Sequence, residues 1–586
     1  MANTEKKRND LDHPEAGVKN RLKKQTPKWV KITIWVSLLV ILLTFIIVCL
    51  AIKRGDILNT VFYQVLVNNV LAVPSILIGI IVLLGYLLQG KAWFDAVAGM
   101  FKGICGYLIL QIGSSFLTGV SRPLMVLFGK LMGTNVVLLD TYTSWSEINE
   151  ALGTAVSIIS YTVLIGLAFN ILLVALKKIT NVRSINVTGH IMFQQSSVVV
   201  AIMYFFVFKD IANESTKQLL IILASGILIG LYWGVFSNLA YAPTQKVSNN
   251  AGFTIGHQQM LGVWAAYHAG RMFALKGKEV KSAEKLNLKK GFRIFHDNIF
   301  TSAILLLVFF GVLFITVRIQ GSWPELLTGI GGYNLFGDKH WILQLFGLVF
   351  IVVAALQVLM FGARMFVAEL QKSFIGISGK LIPGASVGID IAGSFSYGEK
   401  AVTFGFLAGA IGNFLGIGLV VLLGQVANIN VFRVIIMVGF IPMFFDGAAL
   451  GLYANASGGW KACLTIPFIA GFIIVFGAVL VVQTGGSTGQ IFQIGYNGLF
   501  DWTTMWAIIL AILSSVPSAV GMGLLFVVAL FFILIAQMTT TEPGKSMPIK
   551  RLLLKKWIKK DEELATELAA AKQAKAEAKL NKQNKS

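Results

Sequence analysis

Charge, cysteine and catalytic signatures are all scarce in this 586-residue chain, and each shortage removes a class of function. Only 13% of its residues are charged while 56% are hydrophobic, well above the apolar share of about 45–50% in soluble domains. A water-soluble globule is therefore excluded. The three cysteines, Cys49, Cys105 and Cys463, lie in apolar stretches with no CxxC spacing and no histidine cluster beside them. They read as packing residues, so neither a disulfide framework nor a metal site is expected. HExxH is absent, and PGKS at 543–546 lacks the glycine that a phosphate loop places before it. No autonomous catalytic motif, no cofactor and no ATP-driven pump are expected.

What the chain does have is apolar windows of about 20 residues, the length a helix needs to cross roughly 30 Å of hydrocarbon. The alternation of outer-membrane strands is missing. The expected fold is all-α and polytopic, with about 11–12 transmembrane helices. Spans are read at 30–52, 65–89, 104–128, 151–176, 190–208, 218–241, 298–318, 342–363, 401–424, 431–453, 463–483 and 512–538. Segments 243–268, 381–397 and 440–460 are rich in Gly, Pro or Asn and fit poorly as simple spans. They are expected to be broken or re-entrant helices whose free backbone groups line a cavity.

The net charge of +22 is concentrated outside the apolar runs: residues 1–31 carry +5, 271–293 carry +6 and 545–586 carry +7. Basic segments beside apolar spans mark the cytoplasmic side, so a bilayer explains the charge and a nucleic-acid partner is not needed. Both termini are then cytoplasmic and the number of crossings is even. The expected organisation is a basic tail (1–29), an N-terminal transmembrane helix retained as an anchor (30–55), a transport region (56–540) and a Lys-rich cytoplasmic tail (541–586).

Polar side chains inside apolar runs are where chemistry is to be sought, because hydrocarbon leaves them a protein partner, a cavity or a cargo. VTGHIMFQQ (187–195) puts His190, Gln194 and Gln195 at membrane depth, and IGHQQ echoes it with His257, Gln258 and Gln259. On a helix His190 and Gln194 share a face. Imidazoles and carboxamides both donate and accept, so they suit a small polyhydroxy cargo and are expected to be completed by it. Bonding between helices is the plainer reading of the same groups. Asp390, in IPGASVGIDIAG, is the strongest single signal: an unpaired carboxylate there costs about 2.5–3.5 kcal/mol or more. It could accept hydrogen bonds from cargo hydroxyls or take a proton from one attacking phosphorus. Asp446 is a weaker candidate, expected near a loop end. Tyr142 in DTYTSW reads first as an interfacial aromatic, and His296, Asp297 and Asn298 as a helix cap.

TGHIMFQQ (188–195), LYWG and SNLAYAPTQ (231–245), GFTIGHQQ (252–259), IFHDNI (294–299), ARMFVAEL (363–370), LIPGA with Asp390, and GFIPMFF (439–445) occur in order. Together they resemble the ascorbate-type enzyme IIC (EIIC) membrane components of the bacterial phosphoenolpyruvate-dependent phosphotransferase system (PTS). The resemblance covers about residues 56–540 and leaves the 30–52 helix as an addition. It implies a homodimer in the plasma membrane whose protomer has a core domain holding L-ascorbate, or a related sugar acid, and a dimerisation domain. It further implies alternating access by core movement, and phosphorylation of the cargo by a separate phosphorylated EIIB protein served by EIIA. Substrate positions carry over onto Thr141, Tyr142, His190, Gln194, Gln258 and Asp390, to which the echoed motifs add Gln195 and His257. The alternative is an ion-coupled secondary transporter of a small polar anion, with Asp390 as the coupling carboxylate.

Overall fold

Within a bilayer a backbone can leave the helix only where other groups take its N–H and C=O. The computed structural model describes residues 74–131, 136–153, 157–274, 280–286, 314–334, 337–380, 384–485 and 495–539, with a few isolated positions between. The leader 1–29, the added helix 30–55, the IFHDNI stretch at 294–299 and the tail 541–586 lie outside the described residues. In chain order the first elements are α1 (Pro74–Leu88), α2 (Trp93–Leu131), β1 (Val136–Leu139), α3 (Thr141–Leu152), α4 (Ser157–Ala175), β2 (Ser184–Asn186) and α5 (His190–Ile202). Next come α6 (Glu214–Val247), β3 (Thr254–Ile255), α7 (Met260–Gly270), α8 (Trp341–Lys380), β4 (Ser386–Ile389), α9 (Ala392–Phe395) and α10 (Glu399–Val421). The last are β5 (Ile435–Val438), α11 (Phe440–Gly485), β6 (Gly495–Tyr496), α12 (Phe500–Thr503), α13 (Met505–Ser514) and α14 (Ser518–Met538).

The chain is a helical membrane protein. Several helices are long and apolar enough to span, and α14 turns Val520, Phe526, Val527, Leu530 and Phe531 outward, an apolar surface suited to lipid and not to water. Helices α2 and α8 are 39 and 40 residues long, about 60 Å each. The window 104–128 therefore captured only the interior of α2, and 342–363 only the N-terminal half of α8. Helix α11 is kinked at Gly459 (φ 71°), where a Cβ would lie 2.4 Å from the Lys281 carbonyl oxygen. Segment 440–460 is thus helical from Phe440 to a break at Gly459, and Asp446 is buried inside that helix, not at a loop end. Cys463 is buried, but Cys105 is exposed on α2 and is not the packing residue expected.

The six strands among the described residues were not anticipated. They form two small parallel sheets, ordered β5-β1-β6 and β2-β4-β3. The central strand of each sheet is flanked by two strands from the other half of the chain: β1 by β5 and β6, β4 by β2 and β3. The halves therefore exchange strands reciprocally, the arrangement expected of a repeated unit. At two to four residues these strands are too short for a pattern of their own, and the ladder satisfies backbone that helices would otherwise hold. Each strand runs into a helix start, so the N–H-rich ends of α3, α5, α7, α9, α11 and α12 follow the carboxyl ends of the strands.

Elsewhere small residues set the packing, as expected where lipid supplies no hydrophobic drive between helices. Helices α10 and α11 touch backbone to backbone: a Cβ on Gly451 would sit 2.4 Å from Gly405 Cα. Helices α1, α2 and α8 form a layer of their own, with Tyr86 donating to buried Glu369, which also takes a bond from Lys372 (2.9 Å). The described part of the basic loop is strapped onto α10 and α11. Ala283 N–H donates to Asn455 (2.8 Å), Trp460 N–H to Lys281 O (3.0 Å), and Ala401 N–H to Glu284 Oε1 (2.8 Å). Burial raises the Glu284 carboxyl above its ordinary range, against the pull of the Ala401 bond and Lys400.

Candidate functional site

The polar groups singled out in the sequence gather where strands become helices. Asp390 follows β4 directly, is 4% exposed, and accepts a hydrogen bond from Ala392 N–H (2.9 Å) at the start of α9. Facing it at 3.7 Å is His257 Nε2, on the turn between β3 and α7. Gly256 has no room for a side chain: a Cβ would lie 2.5 Å from Asn186 Oδ1 and 3.0 Å from the Gly388 backbone. That close approach brings the β3 turn against β2 and β4 and so sets His257 beside Asp390.

The histidine's tautomer follows from its neighbours. Gln259 Nε2 donates to Phe445 O (3.3 Å), which turns Gln259 Oε1 toward His257 Nδ1 and makes Nδ1 the protonated nitrogen. Nε2 is left to face the carboxylate, so a proton taken up by either group is held against the other. The imidazole also stacks on Phe445 at a centroid distance of 5.5 Å and an interplanar angle of 10°.

A chain of carboxamides joins the two sheets. Gln258 Nε2 donates to Gln194 Oε1 (2.7 Å), and Asn497 Nδ2 donates to Gln258 Oε1. Gln194 stands on α5 after β2, Gln258 follows β3, and Asn497 follows β6, so this relay bridges the carboxyl ends of both sheets. Gln195 Nε2 donates to His257 O (3.0 Å) and its Oε1 accepts from Trp233. Asp501 on α12 is fully buried and accepts from Leu261 N–H (2.9 Å), Gly262 N–H (2.9 Å) and Tyr232 OH (2.8 Å), which caps α7.

The structure thus brings together Gln194, Gln195, His257, Gln258 and Asp390. Thr141 is buried at the start of α3, following Asp140, whose N–H donates to Tyr496 O (3.0 Å) next to Asn497. Tyr142 follows it, and His190 opens α5; the side chains of these two lie outside what the structure describes. Asn497 and Asp501 were missed because they fall in 484–511, between two expected spans, where an Asn-Gly pair reads as a loop. One difference concerns occupancy. The carboxamides were expected to await a cargo, yet Gln194, Gln195, Gln258 and Gln259 each have a protein partner. A low-dielectric interior makes an unpaired amide costly, and here these groups satisfy one another. Among the described residues, a cavity of about 10 Å³ lies beside Asp390, room for one water, walled by Thr188, Ile78, Tyr107, Phe366 and Leu370. Four of those walls belong to the α1–α2–α8 layer.

Comparison with known proteins bears on the whole chain. A family model described as PTS system sugar-specific permease component (EIIC-GAT) matches residues 69–498. The ascorbate-specific PTS system EIIC component of Mycoplasma pneumoniae is 39% identical over 458 residues, covering 74% of this chain and 69% of the relative.

Proposed function

The chain belongs to the PTS system sugar-specific permease components of the EIIC-GAT family, and on that premise we propose that it takes up L-ascorbate, or a close sugar acid, coupled to phosphorylation. The named specificity of the Mycoplasma relative supports this choice of cargo. So does the chemistry: ascorbate is a flat anionic enediol lactone at neutral pH, suited to amide donors and helix N-termini. The acidic Asp390 suits the hydroxyl end of the molecule instead.

The observation that carries the reading is the Asp390–His257 pair at 3.7 Å beside the amide chain. In the transfer step the cargo's terminal hydroxyl oxygen bonds to the phosphorus of a phosphocysteine on a separate EIIB protein, itself served by EIIA. The S–P bond breaks, the electron pair leaves as thiolate, and the hydroxyl proton goes to Asp390, where His257 Nε2 shares it. Thr141, Tyr142, His190, Gln194, Gln195 and Gln258 complete the cargo site. EIIB docks on the cytoplasmic face, on the basic loop that includes the strap at 280–286, and both termini lie on that side.

The walls of the site give the transport cycle its logic: a molecule of this size needs roughly 300 Å³, and Ile78, Tyr107, Phe366 and Leu370 stand beside Asp390. The strand–helix units act as re-entrant hairpins of a moving core. The α1–α2–α8 layer forms the second domain, holds the homodimer, and walls the site until the core slides past it, giving alternating access.

The test is labelled ascorbate binding and phosphoryl transfer from phosphorylated EIIB, with Asp390→Asn alongside wild type. Asparagine keeps the acceptor for Ala392 N–H, so binding holds within a few-fold while transfer falls at least about 10²-fold. Undiminished transfer in that variant removes Asp390 from the role. Uptake of unmodified ascorbate on a proton or sodium gradient, with no phosphotransferase proteins present, makes the chain an ion-coupled carrier instead.

A further inference from the structure

A second carboxyl group lies behind the amide chain, and the proposed reaction does not use it. Asp446 sits on α11 and is 1% exposed. Neither of its oxygens has a hydrogen-bond partner; the Phe500 backbone approaches without reaching normal hydrogen-bond geometry. Within electrostatic reach is Asp501, which has two backbone N–H donors and the Tyr232 hydroxyl. The groups within reach of Asp446 include Asp501 from α12 and Tyr232 from α6, and His257 stacks on the adjacent Phe445. No lysine or arginine is among them.

Two carboxyl groups in one dry pocket do not both ionise. The one with three donors is built to carry charge; the one with none is not, because an ionised carboxylate without donor or cation is among the most costly groups to bury. We propose that Asp446 is a proton-binding site, the neutral partner of ionised Asp501, and that its proton is bound together with the cargo. The connection to the cargo site is short. Phe445 O accepts from Gln259, and Gln258 O accepts from Asp501 N–H (3.4 Å). Loss of the proton adds a negative charge one contact removed from Gln258, through Asp501, and this opposes an anion. This second half of the inference rests on the cargo being an anion, as proposed above; the proton site itself does not.

Infrared difference spectra of the purified full-length protein, taken without cargo across a pH series, read the proton directly. Wild type is expected to show the carbonyl stretch of a buried protonated carboxyl group that disappears as pH rises, and Asp446→Asn to lack it. Asparagine matches the neutral acid in shape, so the proposal requires that variant to fold; its failure to assemble overturns the proposal. So does a spectrum without the band, a band retained in Asp446→Asn, or a band abolished by sodium at constant pH, which reassigns the pocket to a cation. With labelled ascorbate, wild-type affinity should fall by up to about tenfold per pH unit as the band is lost, and Asp446→Asn should stay flat. A titrating band with pH-independent affinity overturns the linkage. A titrating band in a protein that binds no ascorbate instead refutes the cargo assignment and leaves the proton site standing.

Discussion

Replacing Gln258 by leucine tests whether the two sheets are joined through a single side chain. Leucine fills nearly the same volume at this 1% exposed position but has no polar atom. It removes the bond to Gln194 Oε1 (2.7 Å) and the one from Asn497 Nδ2, leaving a buried acceptor and a buried donor without partners. Each orphaned group costs about 1–3 kcal/mol, so the loss is about 2–6 kcal/mol before relaxation. Rotation of Gln194 and Asn497 recovers part of this, and about 3 kcal/mol is expected. That energy is a loss of fold stability; ascorbate binding falls as well, because Gln258 is one of the proposed cargo ligands. The double variant Gln194→Leu/Gln258→Leu removes donor and acceptor together and orphans only Asn497. It should be less damaging than the two single changes combined, with a coupling energy of about 1–2 kcal/mol. Thermal unfolding in detergent and a labelled-ascorbate binding assay measure both quantities. A Gln258→Leu protein with wild-type melting and binding, or single effects that add without coupling, would show that the amide chain joins nothing.

Gly451→Ala places a methyl 2.4 Å from Gly405 Cα and 3.1 Å from Ala401 O, backbone atoms that cannot turn aside. It should destabilise the α10–α11 pair by about 1–3 kcal/mol, seen as a lower melting temperature, whereas the same change at Gly523, with open space around its Cβ position, should be silent. Glu284→Gln keeps an acceptor for Ala401 N–H and removes a titration. Burial raises the Glu284 carboxyl above 4.5, so the folded protein keeps a proton that the unfolded chain has released. Its contribution is present below the ordinary carboxylate range and is lost as pH rises through the raised value. Melting temperatures across a pH series should therefore show the variant gaining on wild type as pH rises from about 4; a constant difference refutes the assignment.

The helical membrane character could be read from composition because it is a property of windows about 20 residues long. Gln194, Gln258 and Asp390 could be read because polar groups stand out in hydrocarbon. Asn497 and Asp501 could not, since their importance comes from meeting Gln258 and α7, more than 200 residues away in sequence. The strands were hidden for a related reason. A two-residue strand such as Thr254–Ile255 has no period of its own, and its pairing with β4 is set by the absence of a Gly256 side chain. Asp446 was misplaced because its Pro- and Gly-rich surroundings resemble a loop, while Gly447 and Gly451 in fact serve contact with α10.

On the proposed function, the pairing of the amides constrains how the site selects its cargo. Because the amides of Gln194, Gln195, Gln258 and Gln259 are already partnered, binding exchanges hydrogen bonds rather than adding them, and affinity reflects the difference between two well-satisfied states. A cargo that offers fewer oxygens than the bonds it displaces leaves amides unpaired in a dry interior, and each shortfall counts against it by about 1–3 kcal/mol. Discrimination therefore falls on analogues that lack a hydroxyl rather than on those that carry an extra methyl.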